Sequence, residues 1–283
     1  MRELSRYRFS ILRQGELTLS RGFADGLKPI LLVAPAAEQP SLESVRRLEH
    51  EYALRAELDG HWAARPLVLT ERHNRVALVL DDPGGQPLDL LIGEALEVER
   101  FLRLALAIAA ALGEAHQRGL IHKDIKPADI LVEGSGERAW LTGFGIASRL
   151  PREQQAPEPP EVIAGTLAYM APEQTGRMNR SIDSRSDLYA LGVTFYEMLT
   201  GALPFTATDP MGWVHSHIAR QAIPPGERCA NRARPAIRDR DEAPGEDPGG
   251  AISDRRRRRG RSAALSEGLG GASLHRSLPG RRP

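Results

Sequence analysis

The stretch that most constrains this chain is HKDIKPADI, from His122 to Ile130. It sets a histidine, two lysines, two aspartates and a proline directly after a long apolar helix pattern. That pattern runs over Val98–Arg118, with Phe101, Leu104, Ala105, Ile108, Ala109 and Leu112 on one stripe. Its aliphatic character all round predicts a helix buried in a larger helical lobe, stopped at Gly119. Downstream, Ile130–Val132 and Ala139–Leu141 predict a hairpin around EGSGE. A dense cluster of charge is therefore expected on a loop between two apolar elements.

Upstream, short apolar runs alternate with glycines. Tyr7–Leu12, Leu17–Leu19 and Ile30–Val33, broken at Gly15, Gly22 and Gly26, read as three antiparallel strands with tight connections. Ser41 is expected to cap a helix reaching Leu58, with Val45, Leu48, Tyr52 and Arg55 at helical spacing. Two further strands, Pro66–Thr70 and Val76–Leu80, precede the turn-rich DDPGGQP, and Leu88–Ile92 reads as a short helix. After the hairpin come GFGIAS, a Pro-rich polar loop to Pro160, GTLAYMAPE, and a buried helix over Ser184–Thr200. No internal repeat is present.

Composition excludes some classes. A chain of 283 residues with 41% hydrophobic and 27% charged residues has an ordinary globular balance. No apolar run approaches 18 residues, and the N-terminus has no signal-peptide core, so no membrane partner is expected. The single cysteine, Cys229, excludes an internal disulfide framework and fits a reducing, cytoplasmic setting. The net charge of +1 conceals an asymmetry: residues 229–283 hold 13 arginines against 7 acidic residues, and residues 1–228 hold 25 basic against 30 acidic.

Four motifs in one order and spacing, HxDxKPxxI, GFG, GTxxYMAPE and SDLYALGVxxYEMLTGxLPF, resemble those of protein kinases of the serine/threonine branch. The resemblance covers about residues 1–228. It implies an α+β, bilobal fold: a small antiparallel β lobe with one helix over residues 1–83, and a mostly helical large lobe over 84–228, incomplete at its C-terminal helices. The wording of TGFGIASRLPRE and GTLAYMAPEQTGRMNRSID is similar to the N-terminal kinase-like domain of large bacterial signalling proteins. Those proteins continue into ATPase, GAF and sensor histidine kinase modules.

The resemblance also assigns roles. Asp124 would be the base for the substrate hydroxyl and Lys126 a contact to the transferring phosphate. Asp129 stands where kinases carry a metal-binding asparagine, and remains an oxygen ligand for magnesium. Gly15 would belong to the glycine-rich loop over ATP, and Glu51 would partner a small-lobe lysine. His122, Thr166, Glu173 and Asp187 would be structural or substrate-side. Lys123 replaces an arginine that often reads loop phosphorylation, which it cannot do with bidentate geometry.

Three departures point the other way. Gly143 replaces the metal-binding aspartate of the D-F-G motif. The strand ILLVAP has no lysine in register, Lys28 lying several residues early. The glycine-rich loop keeps only Gly15 and Gly22. Two plainer readings stay open: Glu51 as a solvated helix charge, and Gly143 as a turn glycine.

After Arg228 the chain turns Arg/Gly/Pro-rich without periodicity. An arginine run such as Arg255–Arg259 can signal nucleic acid, but a shifted reading frame accounts for it better. Codons compatible with Gly249–Asp254 can, read one base later, give E-E-R-Y-Q-T, and the preceding stretch is compatible with an amphipathic kinase-like segment. Residues 229–283 are thus expected to be a disordered, frameshifted tail, and no nucleic-acid partner is expected. The lost arginine would leave Glu173 without its usual ion-pair partner. The expected function is a serine/threonine kinase-like domain using ATP and Mg, with activity weak or lost. The alternatives are a pseudokinase regulatory module or a truncated fragment of a longer signalling protein.

Overall fold

The structure is a computed structural model and describes residues 4–72, 75–149, 166–177 and 180–233. The Pro-rich loop after Arg149, Gly165 and the tail beyond Ala233 lie outside them. All described residues fall in one compact unit, 1–235.

Five strands form one antiparallel sheet: β1 (Arg8–Arg13), β2 (Leu17–Phe23), β3 (Ile30–Pro35), β4 (Pro66–Arg72) and β5 (Arg75–Asp81), in the order β1-β2-β3-β5-β4. Central β3 is apolar on both faces. Leu31 and Val33 join Leu19, Leu48, Leu78, Leu80 and Trp140 on one side, and Ile30 and Leu32 join Ala77 and Val79 on the other. Gly22 does not break the strand as expected but sits within β2, opposite Phe9. A Cβ there would lie 2.7 Å from the Phe9 ring, so the glycine makes room for an aromatic.

Helix α1 (Leu42–Ala53) begins as anticipated, with the Ser41 hydroxyl accepting from the Ser44 N–H at 3.0 Å. It ends at Ala53 rather than Leu58. Leu54, Leu58 and Trp62 follow it in turns and pack into the core of the helical lobe. The connection after β5 is anchored by Arg21, whose Nε and Nη2 donate to Asp82 at 2.6 and 3.0 Å.

Below it lie the short strand β6 (Gln86–Pro87), helix α2 (Val98–Gln117), β7 (Leu120–Ile121), the hairpin β8 (Ile130–Val132) and β9 (Ala139–Leu141), and β10 (Ser148–Arg149). Helices α3 (Ser184–Thr200), α4 (Pro210–Ala219) and α5 (Pro225–Ala233) follow. α2 is buried on one side only, through Leu104, Ile108, Ala111, Leu112 and Ala115, while Leu102, Leu106 and Ala109 are exposed. The all-round burial expected of it is therefore corrected. Gly119, at φ +72°, ends it as expected. α4 escaped the sequence reading although its signals were present: Asp209 caps it through the Gly212 N–H and Pro210 fills its first turn. α5 extends five residues past Arg228, into the segment where a disordered tail was expected. The whole is a bilobal α+β fold.

Candidate active site

The HKDIKPADI loop leaves β7, which pairs with β10, and is held from beneath by α3. Asp187, fully buried in the first turn of α3, accepts the backbone N–H of His122 at 2.8 Å and of Lys123 at 2.7 Å. His116 of α2 approaches the same carboxylate at 2.9 Å. Lys123 is the only non-glycine residue with positive φ, +69°, among the described residues. That costly conformation is sustained by the buried acceptor beneath it. His122 has no solvent exposure. Its Nε2 lies 2.9 Å from the Thr142 carbonyl, its Nδ1 accepts the Asp124 N–H at 3.3 Å, and burial lowers its pKa. It is thereby packed inside the loop, away from the cleft's solvent.

This scaffold presents Asp124 and Lys126 on one side of a cleft. Asp124 accepts the Thr166 backbone N–H at 2.8 Å through Oδ1 and the Lys126 ammonium through Oδ2. Lys126 also donates to the Thr166 hydroxyl at 2.7 Å and lies 2.9 Å from Asp129 Oδ2. Burial lowers the Lys126 pKa, with Asp124 opposing it. All three ammonium protons therefore have acceptors. Glu173, expected to lack a partner, accepts the Ser186 hydroxyl at 2.5 Å.

Opposite the loop, Gly143 adopts φ +81°, and the next residue, Phe144, is fully buried against His122 and Trp62. α1 packs closely on this segment. A Cβ on Gly145 would lie 2.9 Å from Arg47 Cβ, and His50 Nε2 meets the Ala147 carbonyl at 2.7 Å. The packing drives Glu51 inward to 2% exposure, which removes the reading of it as a solvated charge. Its Oε1 has no hydrogen-bond partner. Burial pushes the Glu51 carboxyl up to about 7, while the N–H groups of Phe144 and Gly143 and the charge of Arg13 pull it down.

This carboxyl makes stability depend on pH. Between about 4.5 and 7 the folded state holds a proton that the unfolded state has released, so stability falls as pH rises. The shift is equivalent to about 3 kcal/mol. Glu51→Gln should flatten the pH 5–8 slope in urea unfolding and be more stable than the parent at pH 8. A slope as steep as the parent's would show that Glu51 is not its source.

The cleft between the sheet and the loop is a cavity of about 540 Å³. Gly15 lies at its mouth, Leu17, Leu19 and Val33 offer an apolar wall, and Asp124, Lys126, Asp129 and Gly143 close its base. Val33, at 5% exposure, occupies the face of β3 nearest Glu51, and Lys28 is exposed before the strand begins. The cation that does enter is Arg13, from the end of β1. Its Nη1 donates to Asp129 Oδ1 and, at 3.0 Å, to the Ala128 carbonyl. Asp129 thus has a cation on each oxygen, Arg13 on Oδ1 and Lys126 on Oδ2. Its carboxylate also fills the space beside Gly143, where a Cβ would fall 2.9 Å from Oδ1 and 3.0 Å from Cγ.

These residues do not fit a kinase metal pair. Gly143 offers no ligand atom, and Asp129 is already neutralised from both sides. No group of three His, Cys, Asp or Glu side chains among the described residues could hold a metal ion. The resemblance places a cation on β3, whereas Arg13 ends β1, so residue order gives it little signal. An arginine two residues before Gly15 was the available signal.

Residues 37–238 match the family described as the protein kinase domain. A probable serine/threonine-protein kinase of Clostridium perfringens is 34% identical over 65% of this chain and 26% of its own length. Serine/threonine-protein kinase PknB of Mycobacterium tuberculosis is 35% identical over 46% of this chain and 20% of its own. Serine/threonine-protein kinase pkn2 of Myxococcus xanthus is 30% identical over 81% and 28%. The chain spans about a quarter of the length of these relatives. No described helix is long and apolar enough to cross a membrane.

Proposed function

Because the chain belongs to the protein kinase family, we propose that it is a serine/threonine-kinase-like module that has kept the nucleotide cleft and lost efficient phosphoryl transfer, and so works as a regulatory pseudokinase domain. The observation that carries this reading is the pairing of Gly143 with an Asp129 held between Arg13 and Lys126. Transfer depends on positioned charge around the phosphoryl group. Here the carboxylate at 143 is absent, and Asp129 is engaged by the protein's own cations. Asp124 and Thr166 keep the geometry of a substrate-side base, which supports descent from an active serine/threonine kinase.

Each lost charge-positioning group removes about 10²–10³ in rate. With both the carboxylate at 143 and a β3 lysine absent, transfer from Mg-ATP to peptide hydroxyls should be about 10⁴-fold below the usual 1–100 s⁻¹. Single-turnover transfer of labelled γ-phosphate, with Asp124→Asn as control, measures it. Asp124-dependent transfer within seconds would refute this function.

A further inference from the structure

Two side chains lining the cleft hold polar atoms without a hydrogen-bond partner among the described residues. One is the guanidinium of Arg13, which lines the cavity and donates only through Nη1 among the described residues, so that Nε and Nη2 have no hydrogen-bond acceptor there. The other is Glu51, buried at the back of the same cavity with Oε1 unpartnered.

We propose that Arg13 is the phosphate-anchoring cation of this site, and that a nucleoside di- or triphosphate binds here without a divalent metal. This rests on the cleft being a nucleotide site, as proposed above. Of the cations lining the cavity, Lys126 has all three protons committed to Asp124, Asp129 and Thr166. Arg47 is tied to Glu43 and Glu16 at the outer edge. Arg13 is the more buried of the two guanidiniums, its side chain 16% exposed against 23% for Arg47, and it is the one joined to Asp129. A guanidinium presents those donors as a planar fork that matches two phosphate oxygens.

Position supports the same assignment. Glu51, Asp124 and Asp89 all act on Arg13 electrostatically. It therefore stands among the acidic groups that would otherwise repel a polyphosphate. Asp129 does not have to be released, because Arg13 holds it through one nitrogen and can meet phosphate through the others. A metal ion entering at Asp129 would instead have to displace two cations from a carboxylate 4% exposed. Divalent metal should accordingly add little.

Titration of the full chain with a fluorescent ATP analogue, in EDTA and in excess Mg²⁺, tests this. Affinity in the two media should agree within about threefold, since no metal-bridged contact is available. Arg13→Gln should weaken binding at least tenfold in both, as expected for losing a charged hydrogen bond. Arg13→Lys should recover part of the loss. Asp129→Asn, which removes a negative charge beside the phosphates, should tighten metal-free binding and serves if Arg13→Gln does not fold. Binding more than tenfold tighter with Mg²⁺, parental affinity in Arg13→Gln, or no binding in either medium would each overturn the proposal. None of these depends on phosphoryl transfer, so slow transfer can stand while the role of Arg13 fails.

Discussion

Gly143→Asp alone is expected to lower stability by about 1–3 kcal/mol and to leave transfer no faster. Position 143 sits at φ +81°, a region that costs a non-glycine residue about 1–2 kcal/mol, aspartate being among the less penalised. The new Cβ would meet Asp129 Oδ1 at 2.9 Å, so the two carboxylates would compete for one space. Adding Asp129→Asn removes the like charge and leaves an amide able to donate to the introduced carboxylate. The double variant should therefore recover stability, with a coupling of about 1–3 kcal/mol between the two positions. It should also gain at least ~10² in Mg-stimulated transfer over the parent. Urea unfolding of the four proteins gives the coupling, and single-turnover transfer gives the rate. Additive stabilities and an unchanged rate would mean that Asp129 and residue 143 do not share the space.

Asp187→Ala should produce the largest loss of stability, about 3–5 kcal/mol. The substitution leaves the N–H groups of buried His122 and half-buried Lys123 without their acceptor, the fully buried Asp187 carboxylate. Each buried, unsatisfied donor costs about 1–3 kcal/mol, against a total stability of about 5–15 kcal/mol. The melting temperature should fall by roughly 10 °C, at about 2–4 °C per kcal/mol for a domain of this size. Lys123, released from its positive φ, would also let Asp124 leave Thr166. Asp187→Asn should be nearly as damaging, because its amide nitrogen would face one of the two N–H groups as a second donor. A fall of less than 2 °C for the alanine variant would show that the loop is held by something else.

The elements were legible where local physics decides them. Ser41 capped α1, Gly119 ended α2, and the hairpin and α3 lie where their apolar runs placed them. The misses arose where distant contacts outweighed local pattern. Gly22 reads as a turn residue, yet it is a strand residue making room for Phe9. α1 stops at Ala53, and Leu54, Leu58 and Trp62 continue as turns into the other lobe's core.

The site divides in the same way. Asp124, Lys126, Asp129 and Gly143 are singled out through the resemblance of their short, contiguous motifs to those of protein kinases. The family, and the absence of a lysine from β3, were equally open to reading. Only the tertiary structure decided which groups meet in the cleft. Arg13 reaches Asp129 across 116 residues of chain, Glu51 is buried rather than solvated, and the carboxylate of Asp129 occupies the space beside Gly143. Charge compensation inside a cleft depends on which side chains converge there. Convergence across such separations follows from packing, not from the order of residues along the chain.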